Sequence, residues 1–169
     1  PPITGKYGAE VKAPANPEKT GYSFQGWIPA LPDTIPAENT THTAHWAVNQ
    51  YTITFDSNGG TELTAITAEY GSTLSTPAAP IKTGYDFKGW YRDVDLTQPF
   101  SFTTMPAENL TLYAKWEQSS YLVTFQYIDE NDVTHIIGTQ TVGHGGSATP
   151  PDAPTRPGYR FDNTWDGSY

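Results

Sequence analysis

Apolar and polar residues alternate from position 51 to 56, where Tyr51, Ile53 and Phe55 are separated by Thr52, Thr54 and Asp56. A period of two is the signature of a half-buried β-strand. Asn58-Gly59-Gly60 then offers residues that tolerate positive φ, predicting a hairpin turn, and Ile66, Ala68 and Tyr70 alternate on the return. The stretch TPAAPIKTG cannot carry a helix through Pro77 and Pro80, so it predicts an extended crossing. A third strand is predicted over GYDFKGWY, with Tyr85 and Phe87 facing one way. Trp90 has the opposite parity, which predicts a bulge at Gly89 that re-aims the indole toward the core. The last strand is LTLYAKW, where Leu112, Ala114 and Trp116 share a face. The expected unit is a small, mainly β, four-stranded sheet with little helix.

The same pattern is written more than once. A shift of 63 places TGYSFQGW (20–27) on TGYDFKGW (83–90), together with Tyr7-Gly8 on Tyr70-Gly71 and Lys19 on Lys82. Beyond Trp27 the shift becomes 70, which puts IPAENTTHTAHW (35–46) on MPAENLTLYAKW (105–116). A third copy appears at a shift of 74, where Gly145, Arg156, Gly158, Tyr159 and Phe161 stand for Gly71, Lys82, Gly84, Tyr85 and Phe87. It then slips by one residue at Asn163 or Thr164. The expected division is a partial copy over 1–49 that lacks its first strand, a complete copy over 50–118, and a partial copy over 119–169 that lacks its last strand. Recurring positions are expected to serve packing: Tyr22, Phe24, Trp27 and Trp46 in the first copy, Tyr51, Phe55, Tyr85, Phe87, Trp90 and Trp116 in the second, and Phe125, Tyr159, Phe161 and Trp165 in the third. All five tryptophans fall on such positions. Only AVNQ and EQSS separate Trp46 from Tyr51 and Trp116 from Tyr121, so consecutive copies are expected to sit close together in a restricted orientation.

Composition narrows the chemistry. The 169 residues include 15 Gly and 15 Pro, and a copy of this size, near the lower limit for an independent core, must rely on dense ring packing or on a neighbour. Cysteine is absent, so neither disulfides nor thiolate metal sites hold the chain. The net charge of −9 is spread over all three copies, and no segment is basic. Nucleic acid and anionic membranes are therefore not expected partners. No apolar run is long enough to insert in a membrane.

YTITFDSNGG, YGS, P-x-x-P, TGYDFKGWY and NLTLYAKW, in that order over 51–117, resemble the internalin-type B-repeat, also called the Listeria-Bacteroides repeat. The resemblance extends in part over both flanks. It implies a β-grasp-like sheet with its first and last strands parallel at the centre, and tandem copies in large secreted or wall-anchored bacterial surface proteins. It implies no enzyme activity and carries over no binding residue.

Other patterns carry less. LPDTI (31–35) lacks the glycine of a sortase signal, and NTT (39–41) and NLT (109–111) read as turns ahead of the last strand. His42 and His45 lie three apart on a strand and point to opposite faces, so they do not make a metal site. Asp93 and Asp95, or Asp129, Glu130 and Asp132, lack calcium-loop spacing and do not recur. No nucleophile elbow or phosphate loop occurs, and neither metal nor cofactor is expected. The functional expectation is a non-catalytic extracellular stalk and contact module, whose partners are adjacent copies and a host or bacterial surface protein. The rival expectation is a glycan-binding module using Tyr91 and Tyr113, which depart from the inward parity of their strands. Self-association through exposed sheet edges is a third expectation.

Overall fold

A computed structural model describes residues 2–155, 157–162, 164 and 165. Arg156 and Asn163, two positions of the third copy, lie outside the described residues. The described chain is all β: β1 (Tyr22–Ile28), β2 (Thr43–Val48), β3 (Gln50–Asp56), β4 (Ile66–Glu69), β5 (Tyr85–Tyr91), β6 (Leu110–Gln118), β7 (Ser120–Ile128) and β8 (Thr134–Gly143). No helix is present among the described residues, so the "little helix" of the sequence reading becomes none.

β3 to β6 form one mixed sheet in the order β4-β3-β6-β5. The central pair is parallel, with Ile53 opposite Leu110 and Phe55 opposite Leu112. β1 and β2 form an antiparallel pair that repeats β5 and β6, and β7 and β8 form another that repeats β3 and β4. The hairpin expected after Phe55 is modified. β4 pairs with β3 only as far as Ile53 opposite Ile66, and the chain between is a loop tethered by the Asn58 side-chain amide, which donates to the Ala114 carbonyl at 2.7 Å. In β7 and β8 the pairing continues to Ile128 opposite Thr134, closed by a turn over Asp129–Val133.

The expected bulge is visible in β1, where the register with β2 slips between Phe24 and Gly26. Gly26 and its counterpart Gly89 share φ near +120° (120° and 118°), a conformation closed to side-chain-bearing residues. The bulge reverses the parity of Trp90, which is 4% exposed. Around it lie Ile53, Leu112 and Ala114 from the two central strands, with Met105 and Leu74 from the connections. Those connections are themselves paired. The Leu74 N–H donates to Thr103 and the Met105 N–H to Ser72, and in the first copy Val11 and Ile35 donate to Asp33 and Ala9 in the same way.

Two compact units divide the chain: 1–80 with 89–115, and 81–88 with 116–169. Neither boundary falls in AVNQ or EQSS. Each unit contains one of these junctions whole.

Candidate functional site

The letters AVNQ and EQSS are not slack. β2 ends at Val48 and β3 begins at Gln50, so Asn49 alone separates them; β6 ends at Gln118 and β7 begins at Ser120, so Ser119 alone does the same. Each single residue is held on both backbone groups. Asn49 N–H donates to the Gly21 carbonyl at 2.9 Å, and its carbonyl accepts from Tyr70 N–H at 2.8 Å. Ser119 N–H donates to the Gly84 carbonyl at 2.9 Å, and its carbonyl accepts from His144 N–H at 2.8 Å. One strand runs out of a copy and into the next, and both neighbours contribute a bond to the residue between them.

Side chains repeat the stitch with the roles exchanged. The Ser23 hydroxyl donates to the Asn49 side-chain oxygen at 2.6 Å, and the Ser119 hydroxyl donates to the Asp86 carboxylate at 2.8 Å. A ring from the following copy lies against a glycine of the preceding one. A Cβ at Gly21 would overlap the Tyr70 ring, and one at Gly84 would overlap the His144 ring. Tyr70 also meets Tyr22 edge-on at 6.0 Å. His144 instead packs near Tyr121, at 6.2 Å, and its carbonyl accepts from the Gln118 amide at 3.1 Å. The equal spacing of the two linkers and the recurrence of Gly21 at Gly84 were visible in the sequence; the pairing of Asn49 and Ser119 was not.

The recurrent aromatics fall into paired contacts. Phe24 meets Trp27 at 5.5 Å and Trp46 at 5.6 Å, and Phe87 meets Trp116 at 5.5 Å. Phe55 packs on Trp90 at 4.8 Å; Phe125 packs on Trp165 at 5.3 Å, and Trp165 on Phe161 at 5.1 Å. Only Trp90 and Phe125 among these positions are buried; Tyr22, Phe24, Trp27, Trp46, Tyr51, Phe55, Phe87, Trp116, Phe161 and Trp165 are half-buried, while Tyr85 and Tyr159 are exposed. Some of these rings hold a lysine. Lys19 Nζ lies 3.8 Å from the Tyr22 ring centre and 5.9 Å from Trp46, and Lys82 Nζ lies 4.7 Å from Tyr85 and 5.8 Å from Trp116. A cation over an aromatic face is attracted by its negative π cloud, so both rings and stem gain cover. Leu74 and Met105, buried in the connections, escaped the strand periodicity because neither lies in a strand.

Tyr91 and Tyr113 sit on the face opposite the core. Leu112 and Ala114 are fully buried at 0% exposure, so the intervening Tyr113 points the other way, with Thr111 and Lys115 beside it. Lys115 Nζ stands 5.0 Å from the centre of the Tyr91 ring. The same face carries Thr52 bonded to Thr67 at 2.9 Å and Thr54 bonded to Thr111 at 3.0 Å. Both tyrosines are half-buried.

Comparison with known proteins decides the affiliation. The profile of the Listeria-Bacteroides repeat domain matches residues 3–44, 51–115 and 121–165. The chain belongs to the Listeria-Bacteroides repeat family. It is 36% identical over 169 residues to a provisionally named membrane protein of Evansella cellulosilytica, a match covering 94% of this chain and 25% of that protein. A provisionally named Gly-rich membrane protein of the same organism is 35% identical, over 92% of this chain and 19% of its own length. Internalin H of Listeria monocytogenes is 40% identical over 120 residues, 64% of this chain and 22% of that protein. The chain thus spans a quarter or less of the length of these relatives.

The features peculiar to single Listeria-Bacteroides repeats are turns. The seven residues by which the second copy exceeds the first fold back over Asp93, whose carboxylate accepts from Thr97 N–H, Thr97 hydroxyl and Gln98 N–H. These donors, led by the Thr97 N–H, hold the Asp93 carboxyl below its ordinary value. In the third copy Asp129 accepts from the Asn131 and Val133 N–H groups and from His135 Nε2 at 2.9 Å. His135 stacks on Tyr127 at 4.7 Å. The two acidic clusters therefore spend oxygens on their own loops, and no group of three His, Asp or Glu placed to hold a metal occurs among the described residues. His42 is half-buried and His45 exposed, on opposite faces. Because the Pro29 carbonyl can only accept, His42 Nδ1 donates to it at 2.8 Å, and Nε2 meets the Thr40 hydroxyl at 2.9 Å.

Proposed function

We propose that the chain is a non-catalytic, extracellular section of a bacterial cell-surface protein, with copies over 1–49, 50–118 and 119–169 acting as a spacer and as a surface for contact with a host or bacterial protein. The observation that carries this reading is the double stitch at Asn49 and Ser119. Two junctions of different sequence use the same pair of backbone bonds and the same ring-on-glycine contact, so adding copies converts into defined extension instead of loose tethering. Membership of the family, and the names carried by Internalin H and the two Evansella proteins, support a place at the cell surface. Repetition itself speaks against catalysis, which needs a convergence of acid, base or nucleophile in one cleft. A β-grasp relation of the central sheet is supported by its parallel central strands.

The test is a spin-label distance measurement with cysteines at Glu18 and Glu62, one on each side of the first junction. A distribution as narrow as that between two labels within one sheet supports the spacer. A broad one refutes it.

A glycan-binding alternative has one observation in its favour: Tyr113 lies on a polar sheet face among Thr54, Thr111 and Lys115, the mixture of ring and hydrogen-bonding groups that sugars need. Binding on a glycan array that is lost in Tyr113→Ala would establish it; no binding by the unaltered chain removes it.

A further inference from the structure

Tension has one route through the complete copy. β3 follows Asn49 directly and β6 precedes Ser119 directly. The two strands lie side by side and parallel at the middle of the sheet, Ile53 to Asp56 against Leu110 to Tyr113. A pull that enters at Asn49 and leaves at Ser119 therefore draws β3 by its first residue and β6 by its last. In a parallel pair those are opposite ends, so the strands must slide along each other and every bond of the seam is strained at once. In an antiparallel hairpin the two free ends lie together, and the same pull opens one rung after another.

Side chains lengthen this seam at both ends. Before its first rung the Thr52 N–H donates to the Asn109 side-chain oxygen at 2.8 Å, and beyond its last the Asn58 side-chain amide donates to the Ala114 carbonyl at 2.7 Å. Between them the Thr54 hydroxyl donates to the Leu110 carbonyl at 3.2 Å and meets the Thr111 hydroxyl at 3.0 Å. Ile53, Leu112 and Ala114, each 0% exposed, close the core side of the seam to water, where a hydrogen bond is stronger than in solution. All of these residues lie within one compact unit. Asn109, just ahead of β6, and Asn58, in the turn after β3, thereby share a task that their separate places in the sequence do not suggest.

We propose that the complete copy bears mechanical load, with the β3–β6 seam as a shear clamp between Asn49 and Ser119, and with Asn58 and Asn109 as its reinforcing ends. The direction of pull rests on the spacer reading, in which tension between a cell surface and a bound partner runs along the chain. Forced unfolding is set by the barrier to unfolding, so the clamp is a property separate from equilibrium stability. It also gives the parallel central pair a purpose that packing alone does not require.

Absence of cysteine lets handles be placed singly. Single-molecule pulling of the full chain from Gln50→Cys and Ser120→Cys, both exposed and outside the seam, loads it in shear. Pulling from Glu62→Cys, also exposed, and Ser120→Cys loads the same seam from one end. The shear pair is expected to give a single rupture that lengthens the chain by about 200 Å. Its force should exceed the peeling force at least about twofold, because rungs that share a load fail together and rungs that meet it in turn fail singly. Asn58→Gly combined with Asn109→Ala should lower the shear force and leave the peeling force unchanged, since peeling is set by the strongest single rung. Glycine at 58 keeps the φ of +48° without strain. Equal forces in the two directions, a shear force untouched by the double variant, or an equal loss of both forces would each overturn the proposal. Equal forces beside a narrow spin-label distribution between Glu18 and Glu62 would remove the clamp and leave the spacer standing.

Discussion

The ring of Tyr70 lies in the space that a side chain on Gly21 would need, so a glycine of one copy is specified by an aromatic of the next. Gly21 is buried and has φ of +77°, so an alanine there meets backbone strain as well as the ring. Gly21→Ala is expected to destabilise the compact unit by about 2 kcal/mol or more. In a Tyr70→Ala background the same change should cost only the backbone part, about 1 kcal/mol. Urea unfolding of the four members of this cycle measures the difference; strict additivity would mean that the ring does not select the glycine.

Burial separates two equivalent tryptophans. Trp90 is 4% exposed and packs on Phe55 at 4.8 Å, whereas its counterpart Trp27 borders an open cavity. Trp90→Ala should therefore cost about 3–5 kcal/mol, enough to unfold a small sheet. Trp27→Ala should cost less than half of that. Circular dichroism melts of the two variants at low concentration provide the comparison.

Acid should loosen one hairpin selectively. The Asp129 carboxyl is held down from 3.8 to about 2, chiefly by its bond from His135 and then by the Val133 and Asn131 N–H groups. A depressed carboxyl stabilises fully above its unfolded value, near pH 4, and that stabilisation disappears as pH falls through about 2. Between these values the turn at Asp129–Val133 should lose protection in amide exchange while β3 and β6 hold theirs. Asp129→Asn should abolish this pH dependence.

Much of the sheet was legible because alternation survives wherever one face is dry. Tyr51 to Phe55 and Leu112 to Trp116 read correctly as strands, and the odd parity of Trp90 pointed to the bulge at Gly89. Where the wall of the core is not a strand, periodicity is silent, which is why Leu74 and Met105 went unrecognised despite their burial. The aromatic positions recur in the sequence, yet most are half-buried rings in pairs, and of them only Trp90 and Phe125 join the aliphatic residues at the centre. Asn49 and Ser119 share no side-chain chemistry that would announce a common role. Their equivalence lies in backbone bonds, and backbone bonds leave no signature in residue identity.

Amide hydrogen exchange at Asn49, Tyr70, Ser119 and His144 tests most directly whether neighbouring copies are sewn together. All four N–H groups donate across a junction, so they should exchange as slowly as the central amides of β3 and β6. Exchange at the rate of exposed loop amides, such as those of Thr76, Ala78 and Ala79, would mean that the copies are joined by flexible connectors and that the stitched junction does not exist in solution.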